Sequence, residues 1–266
     1  MPAAPRKPRA RAYDPARTRE AVAAQFRQVR EAVAGLPEGR LDAPTRLGDW
    51  TVRELVAHLA MVVESVNRCL ELPAPPAAEV TLAGWVSGTA TAAADIDADT
   101  RALAAGAAAP AELLERAAAR YRELVPQAPG DRVLATRLGA MRLDDFLVTR
   151  CVELVVHTDD LAAATGAEAG YDRQALATAV RVLADALAAK APGGSVEVRV
   201  PPFAVVQCVE GPRHTRGTPP NVVETEPLTW IRLATGRTTW GEAVEAAEVT
   251  AGGERADLSG QLPLLG

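Results

Sequence analysis

One stretch restricts the fold more than any other. From Arg150 through Cys151, Glu153 and His157 to Asp160 and Leu161, the chain places charges where an interior is expected. Its apolar spacing predicts a helix from about Met141 to Ala164, stopped by Thr165-Gly166. On a 3.6-residue period Leu147, Cys151, Leu154, Val155 and Leu161 form an apolar surface broad enough to be buried. Arg150, Glu153, His157 and Asp160 fall at i, i+3, i+7 and i+10, a single polar stripe between those flanks. Charges hemmed in this way are costly without partners. Glu153 and His157 sit on adjacent turns, with Cβ atoms roughly 5–6 Å apart. Together they make half a site for zinc or a similar metal, which needs a third ligand from elsewhere.

The remaining composition is that of a helix-rich globular protein. At 266 residues the chain has room for two cores, and it is 48% hydrophobic and 24% charged. Aromatic residues make up only 4%, and alanine is abundant, which favours close-packed helices over a large β-sandwich. A net charge of −5 without a basic stripe argues against nucleic acid as a partner. Residues 1–12 are basic and proline-rich and have no apolar run, so they read as a disordered tail and not as a secretory signal. No segment reaches the length of a membrane span. Three widely separated cysteines, Cys69, Cys151 and Cys208, fit reduced thiols in a cytoplasm.

Taken in order, a helical period runs from about Pro15 to Leu36, ahead of Pro37-Glu38-Gly39. Thr51 and Glu54 have capping-box spacing, so a second helix starts there and runs to Pro73, with His58 among its apolar positions. Residues 77–110 are alanine-rich and weakly patterned, with a helix expected over about 88–105. Pro110 opens a clearer helix that closes at Pro126, and the 141–164 helix follows. Such helices, each with one apolar face, make a four-helix bundle over 13–166. After the joint Gly166–Gly170 comes a helix over Asp172–Ala189, and then the period changes. Strands are expected at Ser195–Val200, Ala204–Val209 and Val222–Thr225, and a short helix at Pro227–Ala234. A further helix is expected at Glu242–Ala247 and an edge strand at Glu248–Ala251. Residues 171–266 therefore form a small α+β unit.

The chain has three histidines, and each has an ordinary reading. A histidine on an apolar face, like His58, is commonly a hydrogen-bonded core residue. Glu153 and His157 alone fit an intrahelical salt bridge. His214, in a Gly/Pro/Arg-rich loop, reads as solvated. Glu54 also lies four before His58, but the capping box claims it for the helix terminus. The Glu-x-x-His spacing of di-iron bundles is absent. The economical ligand set is His58, Glu153 and His157, which leaves the fourth zinc position open. Cys151 points away from Glu153 and reads as core.

These residues resemble a known family. Gly48-Asp49-Trp50-Thr51-Val52-Arg53-Glu54-Leu55-Val56-Ala57-His58-Leu59 is similar to the Trp-Thr…His entry of the mycothiol-dependent maleylpyruvate isomerases. Arg150, Glu153, His157, Asp160 and Leu161 match the family's later Arg-x-x-Glu-x-x-x-His-x-x-Asp-Leu helix. The resemblance implies a DinB-like metal-binding four-helix bundle followed by a sterol-carrier-like α+β unit. The latter is matched by Leu233-Ala234-Thr235-Gly236-Arg237 and by Arg255–Ser259 with Leu262–Leu264. It further implies that His58, Glu153 and His157 are the metal ligands and that Arg237 is the catalytic arginine, holding a substrate carboxylate or enolate oxygen. Segment 77–110 matches no specific family residue, and the substrate cavity's walls are expected from it.

The implied partners are a small-molecule substrate and mycothiol as thiol cosubstrate. A thiol at an open zinc position is held as its thiolate near neutral pH. That thiolate adds to the double bond of a cis-enedione acid, rotation follows about the new single bond, and loss of the thiolate gives the trans isomer. Attack of the same thiolate on a halide or epoxide would instead make a detoxifying mycothiol S-transferase. A third reading is a non-enzymatic ligand-binding protein whose bundle is merely stiffened by metal.

Overall fold

The computed structural model describes residues 11–37, 39–107, 109–211 and 220–265. His214 and most of the basic tail lie outside them. Arg11, at the tail's end, is placed: its Nε and Nη2 donate to Asp185 at 2.8 and 3.0 Å.

Four long helices build the amino-terminal bundle. Helix α1 (Pro15–Ala34) opens at Asp14, whose carboxylate accepts from Arg17 N at 2.9 Å, and it buries Val22, Phe26, Val29 and Val33. Helix α2 (Val52–Glu71) opens at the expected capping box, with Glu54 accepting from the Thr51 amide at 2.9 Å. Then come α3 (Leu82–Gly88), a 3₁₀ turn (Thr89–Ala92) and α4 (Ala93–Gly106), so the helix expected over 88–105 is broken near its start. Helix α5 (Pro110–Leu124) begins with proline at its first position, where the missing N–H is no loss.

The next element differs from expectation. Residues 133–142 form a hairpin, β1 (Val133–Thr136) and β2 (Gly139–Arg142), and Met141 lies in its second strand. Its two-residue turn is followed by Gly139 at φ +121°, a conformation that glycine adopts freely. A Cβ there would also stand 3.0 Å from Val80. Helix α6 (Leu143–Thr165) therefore starts two residues late, and it ends as expected at Gly166, which is left-handed with φ 69°. In the bundle α1 and α2 each lie against both α5 and α6.

Helix α7 (Arg173–Lys190) packs on α1 and α6 on one side and on the carboxy-terminal sheet on the other. The sheet contains β3 (Val196–Val200), β4 (Ala204–Cys208), β5 (Val222–Thr225) and β6 (Val249–Gly252) in the order β4-β3-β5-β6. Only the β3–β5 pair is parallel. Helices α8 (Pro227–Ala234) and α9 (Trp240–Glu245) complete this unit. The expected strands and short helices are all present, within two residues. Core residues of both parts belong to one continuous apolar cluster.

Buried Gln25 fixes the joint between the parts. Its Oε1 accepts from the Asp172 amide at 2.8 Å, while its Nε2 donates to Thr158 Oγ1 at 3.0 Å and to the Gly170 carbonyl at 3.3 Å. All three cysteines are buried thiols, and burial pushes the Cys208 thiol up to about 11. No helix among the described residues is long and apolar enough to cross a membrane.

Candidate metal centre

Helices α2 and α6 are neighbours, and their polar residues meet between them. His58 comes from the second turn of α2, while Glu153 and His157 lie one turn apart on α6. One ligand atom from each lies within 4.8 Å of the others, the only such group of three or more among the described residues. Glu153 Oε2 stands 3.6 Å from His58 Nε2 and 3.3 Å from His157 Nε2. The two imidazoles meet edge to face, with ring centroids 4.6 Å apart, and Trp50 covers His58 at 5.2 Å.

Hydrogen bonding distinguishes this cluster from a packed core. His58 is 6% exposed, and neither ring nitrogen has a hydrogen-bond partner. Buried polar atoms are nearly always paired, so an unpartnered imidazole beside a carboxylate marks a place for a ligand. His157 is held from behind: its Nδ1 lies 2.8 Å from Asp160 Oδ2, which turns Nε2 toward Glu153. A carboxylate fixing the far nitrogen of a histidine is the usual support for a metal ligand. Two neutral-nitrogen donors and one carboxylate suit a divalent ion of the zinc type. Glu54, bound into its capping box, takes no part.

The protonation pattern follows from these neighbours. Burial would raise the Glu153 carboxyl, but the histidines and Arg150 outweigh it and hold it well below the usual range. Burial lowers His58 despite Glu153. His157 is also desolvated, yet Asp160 and Glu153 prevail and raise it. Of the two histidines, His157 is therefore the one whose protonation its neighbours favour.

A second ionic cluster lies behind the first. Asp159 and Asp160 are buried at 2% and 0% exposure. Asp160 accepts from Arg46 Nε at 2.6 Å and from Arg237 Nε and Nη2 at 3.2 and 3.0 Å. Asp159 accepts from Arg232 Nη2 at 2.7 Å, from Tyr171 at 3.4 Å and from Arg46. Burial would raise both carboxyls, but His157 and then Arg237 hold Asp160, and Arg232 and then Arg46 hold Asp159, below their ordinary values. Arg232 and Arg237 come from the carboxy-terminal unit, so this cluster joins the two parts. Sequence reasoning missed Asp159, Arg46 and Arg232, for which the only signal was the doubled aspartate.

A cavity of about 110 Å³ opens on the other side of the triad and reaches His58 and Glu153. Trp85, Thr89, Ala92 and Ile96, from α3 to α4 within segment 77–110, form one wall. Residues 136–138 of the hairpin turn form another. Arg237 does not line this cavity. Its Nη1 donates to the Thr235 carbonyl at 2.7 Å and its other donors face Asp160, so the structure brings it to the site through His157's supporting carboxylate.

A helical bundle that gathers His₂Glu under a cavity, with an α+β unit clamped behind it, defines a class of two-part proteins built around a candidate metal site. The chain belongs to the family described as the mycothiol maleylpyruvate isomerase N-terminal domain, whose model matches residues 22–162. Residues 172–264 match the model described as a bacterial SCP ortholog. Two crystal structures are similar to the whole chain, those of the mycothiol-dependent maleylpyruvate isomerase and of a mutant of it. Their identities are 16% and 15%, each with a TM-score of 0.59, covering 96% of this chain and 97% of theirs. Identity this low establishes a shared fold. No curated protein sequence matches the chain.

Proposed function

We propose that this protein is a mycothiol-dependent, metal-assisted isomerase of the maleylpyruvate isomerase type, cytoplasmic and zinc-loaded. The observation that carries the reading is the convergence of His58, Glu153 and His157, with both nitrogens of His58 unpartnered in a buried site. Family membership supports the thiol and the reaction class. His58, Glu153 and His157 would hold a divalent cation, which would supply a Lewis acid able to keep a thiol ionised at neutral pH. Glu153 brings negative charge that would favour a cation here, and its Oε2 lies near Nε2 of both histidines. Asp160 holds His157 in the tautomer whose Nε2 faces the centre. Arg237 acts as a positioning residue: it fixes Asp160, and through it His157. The apolar cavity walls exclude water from the reacting thiol and orient a small substrate over His58 and Glu153.

Replacing His157 by alanine removes a ligand while leaving the apolar flanks of α6 intact. The expected outcome is loss of stoichiometric zinc and of mycothiol-dependent turnover of maleylpyruvate, with the circular dichroism of a folded bundle retained. Metal analysis of both proteins decides it, since equal zinc content would return all three residues to core roles.

A further inference from the structure

Arg150 is not a metal ligand in this reading, yet it is a buried charge with few partners. It lies one turn before Glu153 on α6, is 8% exposed, and stacks its guanidinium 4.4 Å from the Phe146 ring centroid. Its Nε donates to Thr149 Oγ1 at 3.1 Å. Neither terminal nitrogen has a hydrogen-bond partner among the described residues. The one ion-pair contact, from Nη2 to Glu153 Oε1, is long at 3.9 Å. A buried guanidinium so weakly paired is costly.

The surroundings say what would satisfy it. Arg150 lines the same cavity as His58 and Glu153, whereas Arg237 does not. Arg68 and Arg137 also line it, and Arg137 already pairs with Asp99 and Asp95. Glu153 is the sole carboxylate among the lining residues, and Met61, Trp85, Ile96 and Leu138 provide apolar contact. The cavity therefore offers a planar donor fork on an apolar floor with a positive balance, which suits a small organic acid.

We propose that Arg150 is the anion-binding residue of this cavity: it pairs with a carboxylate of a small organic acid, whose carbon chain lies along the apolar wall toward His58 and Glu153. This rests on the metal-centred reading and deepens it, assigning the substrate's anion to Arg150 while Arg237 supports His157.

Succinate and its uncharged counterpart succinamide are the probes, titrated calorimetrically into the full chain as purified and again after zinc addition. Wild type is expected to bind succinate more tightly than succinamide. Arg150→Gln should weaken succinate about tenfold or more, as expected for loss of charge-assisted hydrogen bonds, and leave succinamide within a few-fold. Arg150→Lys should recover part of the loss, and Arg68→Gln should change little. Equal binding of the two probes to wild type, or undiminished succinate binding by Arg150→Gln, overturns the proposal. Should that variant fail to fold, wild-type crystals soaked in succinate decide. A carboxylate within about 3.2 Å of the terminal nitrogens of Arg150 supports the proposal, and a carboxylate on other residues with Arg150 empty overturns it. Zinc content, measured on the same preparations, tests the metal reading separately.

Discussion

The two ends of the polar stripe on α6 are built in opposite ways. Toward the cavity, buried Arg150 and His58 and half-buried Glu153 have fewer partners than they could hold: both nitrogens of His58 are unpartnered, and Arg150 meets Glu153 only at 3.9 Å. Toward the carboxy-terminal unit, Asp159 and Asp160 are buried with partners in excess, drawing on Arg46, Arg232, Arg237, Tyr171 and His157. One end keeps unmet polar groups, and the other is a finished joint. His157 is the hinge between them, with one nitrogen facing each way. Burial of charge is therefore not itself a sign of a site; burial without satisfaction is.

The largest test removes the link between the two ends. Asp160→Asn leaves the shape nearly unchanged but takes the charge from Arg46, Arg237 and His157. Breaking a buried pair of this kind costs about 3 kcal/mol, measured by denaturant unfolding of the metal-free protein. Loss of the supporting carboxylate should also weaken zinc by about 10- to 100-fold in a competition titration. Unchanged zinc affinity would mean that the joint does not reach the metal centre.

Acid should separate the two ends. The His157 value is raised above its ordinary 6.5, and a cation must displace that proton, so zinc affinity should fall about tenfold per pH unit below the raised value. In the metal-free protein the His157 proton contributes stability that is fully present below 6.5 and lost as pH rises through the folded value. The aspartates behave oppositely. Their contribution is present above the ordinary 3.8 and lost only as pH falls through the lowered folded values. Zinc release and loss of the joint should thus occur in distinct pH windows when metal content and unfolding are followed together. A single coincident transition would contradict the division.

The smallest effect is expected at the other Glu-x-x-x-His pair. Glu54→Ala removes half of a capping box and should cost about 1 kcal/mol, with zinc stoichiometry unchanged. A loss of zinc would place Glu54 in the metal centre after all.

Much of the site was legible because it lies on regular helices. The stripe from Arg150 to Asp160 keeps a 3.6-residue period, and Thr51 with Glu54 announces the start of the helix that carries His58. The hairpin over 133–142 was not legible. Its turn residues, Arg137 and Leu138, carry no hairpin signature, and the apolar spacing through Met141 and Leu143 continues smoothly into α6. The joint was hidden for another reason. Asp159 meets Arg46 and Arg232 across 113 and 73 residues, and no local pattern encodes such pairings.

The placement of the cavity walls has a consequence for how this scaffold diversifies. Trp85, Thr89, Ala92 and Ile96, together with Thr136, Arg137 and Leu138, come from two inserts lying between the bundle helices, and neither insert carries a triad ligand or a member of the joint. The walls these inserts supply are thus separate in sequence from the triad, while α2 and α6 supply the rest of the lining through residues such as Met61 and Arg150. Substitutions in the inserts would reshape these walls without touching the triad or the joint, and an engineer could graft new walls between α2 and α6 as one would change a lens in a fixed mount.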